Sequence, residues 1–305
     1  MTPTPAAAQR SAARTLRGVL AGALLGAGLG GCSFGSLGPG KVPEPIIDRT
    51  PAPTYAALAA RYNERCEMLD RLRAPVTLVI ESPDEKGGRR TDQVEAFLSF
   101  AAPRRLSLRI DKVGQTLALL GSDDARYWWI DVSDTPVAMV GTHGAATPAS
   151  GGAFGVPVHP LDLVDALGVL PLPEGGATPP PVRRVGPGTL QVEIPPRARG
   201  WGVRRIYIDE RTARPERIEI VDSGNRIVLT CVLSRYLPVD AERQGGAIAS
   251  RYVVDVPSQR VRITVSASDP ENPGERLREK AFDLRTLLEA YGVRDVVDLD
   301  VETGP

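Results

Sequence analysis

The chain has 305 residues and balances 37 basic against 37 acidic side chains, for a formal net charge of zero. With no basic excess, the electrostatic footprint of a nucleic-acid-binding protein is missing. The two histidines, His143 and His159, lie in loop-like sequence without H-x-x-x-H spacing or a Cys/His cluster, so the pattern gives no metal site.

The first elements concern export. Arg10, Arg14 and Arg17 form a basic n-region, and residues 18–31 follow as an uncharged run of Leu, Ala and Gly with one Val, 14 residues long. A membrane-spanning helix needs roughly 20 residues, whereas a signal-peptide h-region needs about 7–15. The run ends Leu29-Gly30-Gly31-Cys32, which resembles a lipobox: a branched apolar residue, two small residues, then the acceptor cysteine. Small side chains let an extended backbone enter a peptidase, and the Cys32 thiol is the nucleophilic atom that takes a diacylglycerol thioether. Two or three acyl chains, at about 0.8 kcal/mol per buried CH₂, give a durable anchor. Residues 1–31 therefore read as a lipoprotein signal peptide. Removing them takes away three arginines and no acid, leaving 34 basic against 37 acidic residues, a net charge of −3. Ser33 after the acceptor cysteine, in place of an aspartate, points to the outer membrane facing the periplasm. A G-x-G-x-x-G match at Gly26–Gly31 and a G-x-S-x-G match at Gly31–Gly35 fall inside the signal and tether. Neither has the strand–turn–helix context its chemistry requires.

Residues 32–53, rich in Gly, Pro and Ser, read as a flexible tether. A single domain is expected over residues 54–305. It opens with a helix in which Tyr55, Leu58, Tyr62, Cys66, Leu69 and Leu72 step by three and four, with Thr54 as cap and Pro75 as stop. Strands are expected at 76–81, 93–100, 105–110, 116–120, 126–132 and 136–140, separated by Gly, Pro and Asp turns. Leu106-Ser-Leu-Arg-Ile110 alternates as a sheet with one buried face does. Residues 141–158 read as a loop of small residues and 160–168 as a short helix with Pro at its start and Gly at its end. A second loop spans 170–181. Strands resume at 189–194, 203–208, 217–221, 226–233, 248–256 and 260–265. The expected fold is α+β and mainly β: a strongly curved antiparallel half-barrel sheet covered by one long N-terminal helix and a short second helix.

The order of elements resembles the LolA/LolB-type lipoprotein-localisation proteins, half-barrels that comprise a periplasmic carrier and an outer-membrane receptor. The residues that carry the resemblance are the opening helix with Ala74-Pro-Val-Thr-Leu78, then Phe97-Leu-Ser-Phe-Ala-Ala-Pro103-Arg-Arg-Leu106, Leu119-Leu-Gly-Ser-Asp-Asp124 and Tyr127-Trp-Trp-Ile130. It implies a non-enzymatic protein that binds a lipid or a lipoprotein acyl chain in an apolar cavity between sheet and helices, with no cofactor. The carrier's arginine before the matching proline is replaced by Ala102, and its turn glycine by Asp124, which favours a receptor-like or diverged member. The apolar cavity candidates are Trp128, Phe97 and Leu108.

Other features are weighed more plainly. Cys66 and Cys231 are either a disulfide, which the compartment permits, or two buried small apolar side chains. Asp162 and Asp165 read as a solvated helix face, Arg183-Arg184 and Arg204-Arg205 as surface solubilisers, and Asp123-Asp124 and Asp269-Pro-Glu271 as turns. No nucleophile–base pair emerges from spacing, so a hydrolase is the weakest alternative. A monomeric structural or protein-interaction lipoprotein of the cell envelope is the stronger one.

Overall fold

A computed structural model describes residues 51–301 apart from 85, 154–157, 177, 199 and 240–245. The signal segment, Cys32 and most of the tether lie outside the described residues.

Helix α1 (Tyr55–Glu67) starts where Thr54 Oγ1 accepts the Ala57 N–H at 3.3 Å. It buries Tyr55, Leu58, Tyr62 and Cys66. The apolar stripe continues through Leu69 and Leu72, but the helix does not. Strand β1 (Arg71–Pro83) begins four residues after it and runs straight through Pro75. Leu72 satisfies both a helical step from Leu69 and a two-residue step to Ala74, Val76 and Leu78, and the sheet wins. Pro75 is tolerated because it lies one position beyond Val76↔Ala267, the last pair of the ladder on that side.

The remaining strands are β2 (Arg89–Ala101), β3 (Arg105–Lys112), β4 (Gln115–Ser122), β5 (Arg126–Asp131), β6 (Val137–Thr142), β7 (Val182–Gly186), β8 (Thr189–Ile194), β9 (Arg204–Asp209), β10 (Pro215–Val221), β11 (Ile227–Pro238), β12 (Ala247–Val256), β13 (Val261–Ala267) and β14 (Asp295–Asp298). They form one curved, unclosed sheet of 14 strands in the order β14-β6-β5-β4-β3-β2-β1-β13-β12-β11-β10-β9-β8-β7. Every pairing is antiparallel except β14 on β6. Two of these strands, β7 and β14, were not expected from the sequence. Val182-Arg-Arg-Val-Gly186 and Asp295-Val-Val-Asp298 are short edge strands with little alternation to betray them. Three further α-helices are described, α2 (Pro148–Ala153), α3 (Pro160–Asp165) and α4 (Leu284–Ala290), beside three short 3-10 turns. The expected loop at 141–158 thus contains a helix. Gly-rich Pro-Ala-Ser-Gly-Gly-Ala has little helix propensity, and the turn is held by Thr147, whose Oγ1 accepts the Ser150 N–H and whose carbonyl accepts the Gly151 N–H.

Because paired residues share a face, the register sorts every strand into an inner face, under α1 and α3, and an outer one. α1 seals β8–β12 with Leu190, Val192, Ile206, Ile218, Leu229, Cys231 and Tyr252 beneath it. Leu161 and Val164 of α3, with Val169, close on Leu72, Val76, Leu98 and Phe100 of β1 and β2. On the outer face, Leu284 and Leu287 of α4 cover Leu119, Trp128, Ile130 and Ala138.

Candidate functional site: the inner face of the sheet

The inner face offers the large apolar surface, and the segment from His143 to Leu172 decides how much of it is covered. His159 Nδ1 accepts the Leu161 N–H at 3.2 Å and caps α3, while its ring meets Trp201 edge-on at 5.2 Å. Desolvation holds both His159 and His143 below the ordinary histidine value, so both are neutral at physiological pH. His143 Nε2 reaches the Asp123 carbonyl, and His159 Nε2 reaches the His143 carbonyl, so the two rings serve the backbone.

Asp162 and Asp165 are not solvated. Their side chains are 4% and 12% exposed, and both clamp Arg197 and Arg204. Arg204, expected at the surface, is itself buried. The four charges staple α3 to the start of β9. After α3 the chain turns at Gly168 (φ +67), where a Cβ would lie 2.7 Å from Pro215 Cγ and 2.9 Å from Leu233 Cδ2. Only glycine fits that turn. α1 then holds the segment that follows: Asn63 exchanges two hydrogen bonds with the Leu172 backbone, at 3.0 and 2.7 Å, and Tyr55 donates to the Pro173 carbonyl.

This cover thins toward the last strands, where Leu108, Ile110 and Leu120 pack against its edge. Leu108, Leu120, Trp129 and Met139 are register partners across β3–β6 and form one apolar row on the inner face. Met139 is buried, whereas Leu108, Leu120 and Trp129 stay half-buried, as do Ile110 and Val137 one row nearer the strand ends. Ile80, Ile263 and Val254 line the same rim on β1, β13 and β12 and are also half-buried. No charged side chain stands in the Leu108–Met139 row. Such a strip, partly exposed and continuous, is what an alkyl chain would cover.

Of the residues singled out from the sequence, Leu108 lies in this row. Trp128 and Phe97 lie on the outer face. Trp128 is 1% exposed, beneath α4, and its indole lies across Gly121, where a Cβ would meet the ring at 2.6 Å. Phe97 is paired with Pro75 and lies 5.9 Å below the Arg73 guanidinium. Adjacent residues of a strand point to opposite faces, so only one of the two tryptophans faces inward, and it is Trp129. Cys66 and Cys231 are free and buried in the same core cluster. Burial pushes the Cys66 thiol up to about 11 and the Cys231 thiol up to about 12, so both stay protonated. Cys32 lies outside the described residues.

A second concavity, an open depression of about 500 Å³, is lined by Arg105, Asp123, Asp124, Glu279, Phe282 and Asp283. Its charges already have work. Asp123 accepts the Ala125 and Arg126 N–H groups, Asp283 caps α4, and Arg105 bridges Asp124 and Glu279.

Comparison with solved structures places this architecture. It matches a LolA superfamily protein from Nitrosomonas europaea at TM-score 0.50 and 11% identity, over 77% of this chain and 99% of that one. It matches a putative outer-membrane lipoprotein-sorting protein domain from Vibrio parahaemolyticus at TM-score 0.54 and 13% identity, over 76% and 97%. The fold is LolA-like. A DUF1329 family protein from Desulfovibrio piger also matches, at TM-score 0.50 and 13% identity, over 76% and 97%. No protein-family model and no curated protein matches the sequence. Within this LolA-like fold, Ala102 is exposed at the β2–β3 turn, and Arg105 beside it pairs with surface carboxylates rather than with the inner face.

Proposed function

We propose that the protein is a non-enzymatic envelope lipoprotein, anchored through an acylated Cys32, whose inner sheet face holds a lipid or acyl chain. The observation that carries this is the half-buried, uncharged row Leu108–Leu120–Trp129, continued by Ile110 and the rim of β1, β12 and β13. Each methylene laid on such a surface contributes about 0.8 kcal/mol, so a long chain outweighs the ordering it suffers. The LolA-like fold supports a carrier- or receptor-like role. Residues 32–53 act as the tether and residues 54–305 as the one domain, on the periplasmic side of the outer membrane.

Gentle extraction followed by native mass spectrometry tests both parts. The expected result is an alkyl lipid bound to the folded chain, or taken up when palmitate, phospholipid or an acylated peptide is supplied. Uptake of none of the three would end the binding proposal. A Cys32→Ser chain should leave the membrane fraction, and sedimentation of the native chain with inner membranes would overturn the outer-membrane assignment.

One observation favours a structural or protein-interaction lipoprotein instead. Leu161, Val164 and Val169 already occupy the inner face over β1 and β2. If that filling extends across β3–β6 in solution, no lipid will be taken up.

A further inference from the structure

The chain has only two histidines, and the fold sets them in one relay. His143 Nε2 donates to the Asp123 carbonyl in the β4–β5 turn at 2.9 Å, and the His143 carbonyl accepts from His159 Nε2 at 3.3 Å. The other nitrogen of that ring, His159 Nδ1, accepts the Leu161 N–H at 3.2 Å. The relay therefore runs from the sheet, through both rings, to the first turn of α3. Trp201 packs edge-on against the His159 ring and donates its indole N–H to the Ala146 carbonyl at 3.3 Å, which fixes the same segment from the side.

These contacts suit only neutral rings. A carbonyl can only accept, so the single proton of each imidazole sits on Nε2 and leaves Nδ1 bare. A second proton on His159 would point an N–H at the Leu161 N–H and destroy the cap. A second proton on His143 would go to an Nδ1 that is buried and has no hydrogen-bond partner, and burying an unsatisfied charged donor is costly. Asp123 and Asp124 of the β4–β5 turn, Arg104 of the β2–β3 turn and Arg197 of the β8–β9 loop face His143, and Tyr127 of β5 stacks on it at 5.9 Å. Asp162 of α3 and Arg197 face His159, and Asp162 is already tied to Arg197 and Arg204. Neither ring is hydrogen-bonded to a carboxylate that would welcome a second proton.

We propose that His143 and His159 are a proton-sensitive latch, which holds α3 and the coil after it on β1 and β2 while both rings are neutral and lets go when they take up a second proton. The ion pairs of Asp162 and Asp165 with Arg197 and Arg204 lie at a different contact of α3, with β9. Release at the histidines thus swings the helix about β9 and uncovers Leu72, Val76, Leu98 and Phe100 beneath Leu161 and Val164. Burial holds both rings below the ordinary histidine value of 6.5 in the closed form, whereas the open form titrates near that value. The closed form is therefore complete above pH 6.5 and is lost as the pH falls. Each proton taken up on opening shifts the balance by up to about tenfold per pH unit below that point. The latch stands apart from the acyl-binding proposal, because it uncovers the same side chains whether or not an alkyl chain replaces α3.

The test is amide hydrogen exchange on the full chain in lipid nanodiscs at pH 7.5 and pH 5.5, corrected for the intrinsic pH dependence of exchange. The reporters are Ala166, Leu167 and Gly168, whose N–H groups bond back to the carbonyls of Asp162, Val164 and Asp165. Their opening should rise about tenfold at the lower pH and should not respond to dilute urea, which marks a local event. Amides of β12 should stay better protected and urea-sensitive, as the global core does. Glutamine offers a donor and an acceptor but no charge. The double variant His143→Gln with His159→Gln should therefore keep α3 protected at pH 7.5 and lose the pH response, and each single variant should lose part of it. His143→Gln leaves the α3 cap untouched, so it decides the matter if glutamine at position 159 fails to cap. Equal α3 protection at both pH values, an undiminished response in His143→Gln, or exchange of α3 only together with β12 at the same urea slope would each overturn the latch.

Discussion

The two halves of the inner face are lined by the same aliphatic residue types and closed in different ways. Over β8–β12 the cover is a regular helix, α1, whose stripe leaves Leu58 and Tyr62 each 1% exposed. Over β1–β3 the cover is a six-residue helix and the coil after it, and toward β6 Leu108, Leu120 and Trp129 remain half-buried. A six-residue helix spans only about 9 Å at 1.5 Å per residue, so α3 cannot close a curved sheet of this width. The difference shows how one fold can hold a rigid core and a receptive surface side by side. The outer face reinforces the contrast, because α4 seals β4–β6 from behind. Those strands are thus apolar on both sides, which explains the unbroken Tyr127-Trp-Trp-Ile130.

Substitutions can break this contrast. The staple comes first, since buried charge ties α3 to β9. Asp162→Ala leaves Arg197 and the buried Arg204 short of a partner and should cost about 3 kcal/mol in urea unfolding. A loss near zero would mean that α3 is not fixed to β9. Next comes the pair Leu58→Ala and Leu120→Ala. The first removes a fully buried side chain and should cost about 3 kcal/mol, the second about 1 kcal/mol because its site is half-open. Equal losses would show that the β3–β6 half is as closed as the other. The smallest effect is on acid stability. His143 and His159 are held below their ordinary value of 6.5 by burial. Stability is therefore complete above that pH and declines as the pH falls below it, because the unfolded chain takes up protons that the folded state refuses. His159→Gln should flatten that decline between pH 7 and pH 5. An unchanged slope would show that His159 protonates freely in the fold.

Much of this was legible from the sequence where one periodicity dominated. Leu106-Ser-Leu-Arg-Ile110 and Val261-Arg-Ile-Thr-Val265 became strands in the expected places. The end of α1 was not legible, because Leu69 and Leu72 fit a helical stripe while Leu72, Ala74, Val76 and Leu78 fit a strand, and only the neighbours β2 and β13 decide between them. The roles of Asp162, Asp165 and Arg204 were hidden for a related reason. Local spacing put the acids on the polar side of a helix, and their partners are more than thirty residues away in the chain. Arg65 stands in a charged stretch with Arg61, Glu64 and Glu67, which by composition marks a solvated helix face, yet it is buried. One signal could have exposed it, namely its place directly beside Cys66 on the stripe, where a rotation of a quarter-turn turns surface into core. The choice between Trp128 and Trp129 depended on which face α4 would cover, and nothing within β5 records that.

Tryptophan quenching by brominated palmitate tests the central claim most directly, because the two adjacent indoles lie on opposite faces of one strand. An alkyl chain on the inner face should quench the full chain, should quench Trp128→Phe equally, and should lose most of its effect in Trp129→Phe. Quenching that survives in Trp129→Phe and disappears in Trp128→Phe, or no quenching at all, would contradict an acyl chain lying along Leu108, Leu120 and Trp129.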